Sequence, residues 1–95
     1  MQVTVYMLRC ADGSYYTGLT KRAVEERVGE HNAGAVEGYT KSRLPVELVF
    51  TETYERIVDA IERERQIKGW TRRKKEALIR YDYEGLPALA SRKRQ

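Results

Sequence analysis

Apolar and polar positions change period several times along this chain, and each change marks an element. Residues 3–10, VTVYMLRC, are rich in β-branched and aromatic side chains and predict a strand. Ala11-Asp12-Gly13-Ser14 supplies turn chemistry, with Gly13 free to take a positive φ. The strand pattern resumes from Tyr15 to Leu19, so the two runs predict an antiparallel hairpin. Thr20 is the expected N-cap of the next segment. Residues 22–32, RAVEERVGEHN, put Val24 and Val28 on one helical face with Arg27 and His31 beside it. Gly29 weakens that helix by roughly 1 kcal/mol relative to Ala.

Residues 33–43, AGAVEGYTKSR, have two glycines and no period, and predict the longest loop. After Pro45, VELVFTETY predicts a third strand, with Val46, Leu48 and Phe50 alternating against Glu47, Val49 and Thr51. Residues 56–68 predict a helix whose stripe runs through Ile57, Ala60, Ile61, Glu64 and Ile67, and Gly69 marks its end. Thr71 is placed to cap a last helix, TRRKKEALIRY, with Ala77, Leu78 and Ile79 apolar. The order is β-β-α-β-α-α. It predicts an α+β fold, a three-stranded antiparallel sheet flanked by helices. Residues 1–83 form the expected single domain, and residues 84–95, ending in SRKRQ, the expected loose basic tail.

Composition narrows the function without naming it. Ninety-five residues make one domain and leave no room for a separate substrate-recognition domain. Hydrophobic residues at 41% of the chain argue against disorder. The formal charge of +4, from 18 basic and 14 acidic side chains, favours acidic partners. Cys10 is the only cysteine, so no intrachain disulfide and no cysteine-based zinc site can be built, and the expected location is a reducing cytoplasm. No run of about 18 apolar residues exists to span a membrane. The N-terminus lacks the basic and long apolar regions of a signal peptide.

The candidate chemistry lies in the hairpin and the helix after it. Tyr6 stands on the first strand and Tyr16-Thr17-Gly18 on the second. Arg27 and His31, four residues apart, share a helix face. Phenols, a guanidinium and an imidazole at one sheet edge suit phosphate-ester chemistry. Hairpin parity makes this testable, because side chains alternate along each strand and paired residues share a face. A two-residue Asp12-Gly13 turn would send Tyr6 and Tyr16 to opposite faces. A shared site requires an odd-length loop, such as Asp12-Gly13-Ser14, or a bulge.

With these residues placed, the chain resembles the GIY-YIG nuclease superfamily, and its small single-domain branch most closely. Thr4-Val5-Tyr6 stands where the first tripeptide falls and Tyr16-Thr17-Gly18 where the second does. Arg27 is similar to the family's helix arginine, and His31 to a histidine some members carry one turn later. Glu64, in AIERERQIK, resembles the metal-binding glutamate of the second helix. The resemblance runs from about residue 3 to residue 80. Thr4, Val5 and Thr17 depart from the tripeptides but leave both phenols in place. Many nuclease members carry an asparagine late in the domain, whereas the only asparagine here is Asn32.

The resemblance implies phosphodiester hydrolysis with one divalent ion, Mg²⁺ or Mn²⁺, bound through Glu64. It implies Tyr6, Tyr16, Arg27, His31 and Glu64 as the catalytic set. Tyr6 and Tyr16 would orient or deprotonate the attacking water, which for a phenol of pKa near 10 needs a nearby cation. Arg27 would hold a phosphate oxygen through its forked donors, and His31 would move a proton. Each has an ordinary alternative: cross-strand packing for the tyrosines, an ion pair with Glu30 for Arg27, a capping or surface role for His31, and a solvated charge run for Glu64. Lys21, Arg22, Lys41, Arg43, Lys68, Arg72 and Arg73 are the candidate phosphate-tracking residues, with an i, i+4 pair to Glu64 the alternative for Lys68.

Three functions compete. The first is a metal-dependent endonuclease acting on DNA with low sequence specificity, alone or with a protein partner that supplies specificity. The second, motivated by the absent late asparagine, is a nucleic-acid-binding module of the same fold without turnover. The third is a protein-interaction domain using the tyrosine-rich edge.

Overall fold

A computed structural model describes residues 2–83; the expected basic tail, 84–95, lies outside the described residues. The elements are β1 (Val3–Arg9), β2 (Tyr15–Thr20), α1 (Val24–Asn32), β3 (Glu47–Tyr54), α2 (Ile57–Lys68) and α3 (Arg72–Tyr83). The strands form one antiparallel sheet in the order β2-β1-β3. The fold is α+β, in the expected order. No helix among the described residues is long and apolar enough to cross a membrane.

Central β1 is covered on both faces, which is why Val5, Tyr6, Met7 and Leu8 are all fully buried. Val3, Val5 and Met7 join Phe50 against Ala60 and Ile67 of α2 and Ile79 of α3. Tyr6, Leu8 and Cys10 face the other way, against Val46, with Val24 and Val28 of α1 and Leu44 packed around them. The sheet is therefore the middle of three layers. One outer layer is α1 with the loop that follows it, and the other is α2 with α3.

The hairpin pairs Tyr6 with Gly18, Leu8 with Tyr16 and Arg9 with Tyr15, so Tyr6 and Tyr16 share a face. The loop is odd-length, as a shared site requires. It is Ala11-Asp12-Gly13, one residue earlier than the expected example, closed by Cys10 N–H to Ser14 O (2.8 Å) and Gly13 N–H to Cys10 O (2.9 Å). Gly13 takes φ +86°, where a Cβ is disfavoured. Asp12 fixes the turn by accepting from Ser14 N–H (3.0 Å) and Ser14 Oγ (2.6 Å).

Two local expectations need correction. The expected alternation put Val46, Leu48 and Phe50 on one face of β3. A bulge intervenes: Met7 pairs with Phe50 and Leu8 with Leu48, leaving Val49 as the extra residue. Phe50 consequently joins the α2–α3 core while Leu48 packs on the α1 side. Thr20 does not cap α1. Its Oγ1 accepts from Arg22 N–H (3.1 Å), a local turn bond, and Ala23 is the N-cap residue with no side-chain cap bond. The Thr71 cap is present, with Lys74 N–H donating to Thr71 Oγ1 (3.2 Å).

The loop after α1 is tied down at both ends. Asn32 imitates a strand: its Nδ2 donates to Val46 O (3.1 Å) and its Oδ1 accepts from Val46 N–H (2.7 Å). This gives the single asparagine a structural role. Further on, Ala11 N–H donates to Arg43 O (2.9 Å) and Arg43 Nε to Asp12 Oδ2 (3.0 Å), fastening the loop to the hairpin turn.

Candidate active site

The site begins with a glycine. Gly18 lies opposite Tyr6, and a Cβ built there would sit 2.6 Å from Tyr6 Oη, 2.7 Å from its Cζ and 2.9 Å from Tyr16 Cε2. The absent side chain is the space in which the Tyr6 ring lies across β2. Tyr6 thereby reaches α1 with its hydroxyl inward.

There it meets the imidazole. Tyr6 Oη and His31 Nε2 are 3.0 Å apart, and Arg27 Nε donates to the same oxygen over a longer 3.4 Å. On the far side of the ring, His31 Nδ1 lies 2.7 Å from Thr40 Oγ1. Tyr6 and His31 are 0% exposed and Thr40 is 1% exposed. His31 is thus neither a surface nor a capping histidine. Both its nitrogens are engaged in the interior, as a buried polar ring requires.

Tyr16 packs against this pair, its ring centroid 5.3 Å from His31 and 6.3 Å from Tyr6. Tyr39 stacks on Tyr16 at 6.3 Å and 21°, and the Arg43 guanidinium lies 3.9 Å over the Tyr39 ring. Tyr16 is half-buried, so of the two hairpin phenols it is the one with access to solvent. The expectation that both reach an attacking water therefore meets a difference. Full burial commits the Tyr6 hydroxyl to Arg27 and His31.

Charge at the site is concentrated on Arg27, which is 29% exposed in its side chain. Its Nη1 donates to Glu30 (2.9 Å), the pairing expected as its alternative. Arg22 holds both oxygens of Glu30 at 2.7 Å. The hydrogen bonds to Tyr6 and then Glu30 hold the Arg27 pKa above its ordinary value. Burial raises the Tyr6 phenol, against a lowering from the Arg27 hydrogen bond. Burial also lowers His31 below its ordinary value, and the Arg27 charge adds to that effect.

The His31 shift carries a stability prediction. In the unfolded chain the imidazole titrates near 6.5, higher than in the fold. Between the two values the unfolded state binds more protons, so stability rises with pH there. Melting temperature should therefore fall as pH drops below about 6.5 and level off below the folded pKa. Asp12 and Glu30 are shifted down by their hydrogen-bond partners and act in more acid solution. In melts from about pH 8 to pH 5, His31→Gln should flatten the slope in this window.

Glu64 occupies a different layer. It lies four residues after Ala60 and three before Ile67, both fully buried, so α2 turns it toward the sheet. Its side chain is 15% exposed and pairs with Lys68 Nζ at 2.9 Å. No hydrogen bond or ion pair among the described residues links it to Tyr6, Tyr16, Arg27 or His31, which do converge. Ala60 and Ile67 pack α2 on the face of the sheet opposite Tyr6, where the helix lies against β1, β2 and β3. On that same face β2 turns Thr17, whose buried Oγ1 has no hydrogen-bond partner among the described residues.

The basic residues divide in the same way. Arg22, Lys41 and Arg43 lie on the α1 side, paired with Glu30, Glu37 and Asp12. Lys68 and Arg72 lie on the α2–α3 side, paired with Glu64 and Glu76. Lys21 and Arg73 are exposed and enter none of the ion pairs among the described residues. Sequence reasoning missed Thr40, which sits in an aperiodic loop nine residues past His31 and carries no local signal.

Two phenols, an imidazole and a guanidinium thus gather on the α1 face of the sheet. The model of the GIY-YIG catalytic domain family matches residues 2–77, and the chain belongs to that nuclease-type family. It is 51% identical over 75 residues to a UPF0213 protein of Natronomonas pharaonis, covering 79% of this chain and 87% of that one. It is 50% identical over 76 residues to a UPF0213 protein of Staphylococcus aureus, covering 80% and 92%. The solution structure of a UPF0213 protein from Bacillus halodurans is similar across the full length of both chains, with 34% identity and a TM-score of 0.58. That of a protein from E. faecalis covers 88% of each chain, with 34% identity and a TM-score of 0.60.

Proposed function

We propose that this chain is a divalent-metal-dependent endonuclease that hydrolyses DNA phosphodiesters with low sequence specificity. The observation that carries the reading is Arg27. It is a cation fixed from behind by Tyr6 and Glu30 and partly open to solvent, and the half-buried Tyr16 packs on the same Tyr6–His31 pair. A fixed guanidinium can take up the charge that develops on a transferring phosphoryl group. Tyr16 orients the attacking water and His31 manages a proton through Tyr6.

The donor set fits a hydrated hard cation. No three His, Cys, Asp or Glu side chains cluster as a metal cage among the described residues. Glu64 is instead a single carboxylate turned inward, on a face where β2 carries an unpaired buried hydroxyl. One carboxylate plus water and substrate oxygens suits Mg²⁺ or Mn²⁺. When bound, the ion supplies Lewis-acid stabilisation of phosphate charge. The +4 charge supports low specificity, because it attracts phosphates independently of base sequence. The phosphate contacts come from Lys21, Arg22, Lys41, Arg43, Lys68, Arg72 and Arg73, and the single cysteine fits a reducing cytoplasm.

The test is a cleavage panel of single-stranded, duplex, flap and junction DNA with Mg²⁺ or Mn²⁺. Cleavage should vanish with a chelator and fall by about 10²–10³-fold in Arg27→Ala. Salt-sensitive binding without cleavage in either metal would instead establish the binding module without turnover. Cleavage unchanged in Arg27→Ala would remove the reading.

A further inference from the structure

Behind Tyr16, polar groups stand in a row: Arg27 Nε, Tyr6 Oη, the two ring nitrogens of His31, and Thr40 Oγ1. Their spacings are 3.4, 3.0 and 2.7 Å. The direction of the row is set at one end. A guanidinium carries donors only, so Tyr6 Oη accepts from Arg27. The phenol retains its own proton, and among the described residues the acceptor within hydrogen-bond reach of it is His31 Nε2. A phenol is a stronger acid than an aliphatic alcohol. Leaving its proton unpaired in the interior therefore costs more than leaving the freely rotating Thr40 proton to find its own acceptor. Tyr6 donates, and Nε2 is the lone-pair nitrogen. Burial keeps the ring neutral, so its one proton is on Nδ1, facing Thr40.

We propose that Thr40 is a positioning residue of this site: its buried hydroxyl accepts the Nδ1–H of His31 and keeps the Nε2 lone pair turned on the Tyr6 hydroxyl. The inference rests on reading the cluster as the nuclease site. The logic is that of the group behind the histidine in a hydrolase triad, where one hydrogen bond selects the tautomer that leaves the other nitrogen free to accept. Here the selecting group is neutral, so it orients the ring without drawing a proton onto it. The ionisable groups facing the ring are Arg27 and Glu30 from α1, Tyr6 from β1 and Tyr16 from β2. Without the hydroxyl, Nδ1–H would lack a partner. The ring would then gain by moving its proton to Nε2, which would set two donors, Nε2–H and Arg27 Nε–H, against Tyr6 Oη.

His31 is the only histidine, so its ring nitrogens can be read directly in a long-range ¹H–¹⁵N spectrum of the whole protein. At about pH 7, wild type and Thr40→Ser should both show a protonated Nδ1 and a lone-pair Nε2, and the near-isosteric Thr40→Val should shift toward Nε2–H. In the cleavage assay Thr40→Val should lower kcat by about tenfold or more with KM little changed, and Thr40→Ser should restore most of it. A wild-type ring protonated on Nε2 would overturn the proposal, as would a Thr40→Val protein that keeps the wild-type tautomer. The wild-type spectrum decides the tautomer even if Thr40→Val does not fold. It also does so whether or not any DNA is cut, so failure here and failure of the nuclease reading are separate results.

Discussion

Glu64→Gln is expected to lower metal-dependent DNA cleavage by about 10³-fold while moving the melting temperature by no more than about 5 °C. The two halves of this result come from one placement. Glu64 lies on the inward stripe of α2 between the fully buried Ala60 and Ile67, where packing alone calls for an apolar residue. Its one ionic partner among the described residues is Lys68, whose own side chain is 53% exposed. An ion pair so open to water contributes about 0–1 kcal/mol, so stability does not account for a carboxylate here. Glutamine keeps the volume and the polar end but removes the negative charge a divalent ion needs. Steady-state cleavage over a metal titration, with melting curves on both proteins, reads both halves. Wild-type activity in Glu64→Gln would remove Glu64 as the metal ligand. Lost activity with a collapsed melting temperature would make the residue structural.

Gly18→Ala is expected to be the most damaging one-carbon change in the domain. The added methyl would meet Tyr6 Oη, Tyr6 Cζ and Tyr16 Cε2, all under 3.0 Å. Tyr6 cannot swing away, because it is fully buried and its hydroxyl is held by His31 and Arg27. Either β2 pulls off β1 or the ring tilts and breaks those bonds. Overpacking of this kind costs about 1–3 kcal/mol, a fall of several degrees in melting temperature for a domain of this size. Displacing both phenols by about 1 Å should cost about 10²-fold in cleavage rate. The His31 ring resonances should move with them. An alanine protein with wild-type melting and an unshifted imidazole would show that the close approach of Tyr6 to β2 is not what the glycine permits.

How far the sequence carried can be traced residue by residue. The elements were legible because most of them carry a clear period, and the Asp12-Gly13 chemistry located the turn. Hairpin parity went further: an odd loop was required for a shared tyrosine face, and Ala11-Asp12-Gly13 is odd. The bulge at Val49 was not legible. VELVFTETY alternates well enough to hide an extra residue, and only pairing with β1 shows that Phe50 changes sides. The Thr20 cap failed because a threonine hydroxyl near a helix start has a competing local bond, here to Arg22 N–H. At the site, the convergence of Tyr6, Tyr16, Arg27 and His31 followed from strand pairing and helix spacing, both local rules. The burial of Tyr6 and the partnership of His31 with Thr40 did not. They depend on how a loop without a period folds back over α1, which no local pattern encodes.

The double fastening of Arg43 to the hairpin turn closes the segment from Ala11 to Arg43 into a lasso. Tyr16, Arg27, His31 and Thr40 all lie inside it, and Tyr6 is threaded against it by strand pairing. Glu64 lies outside, on a helix attached to the opposite side of the sheet. The hydrogen bonds that join Tyr6, Arg27, His31 and Thr40 therefore close on themselves without α2, so replacing Glu64 removes none of them.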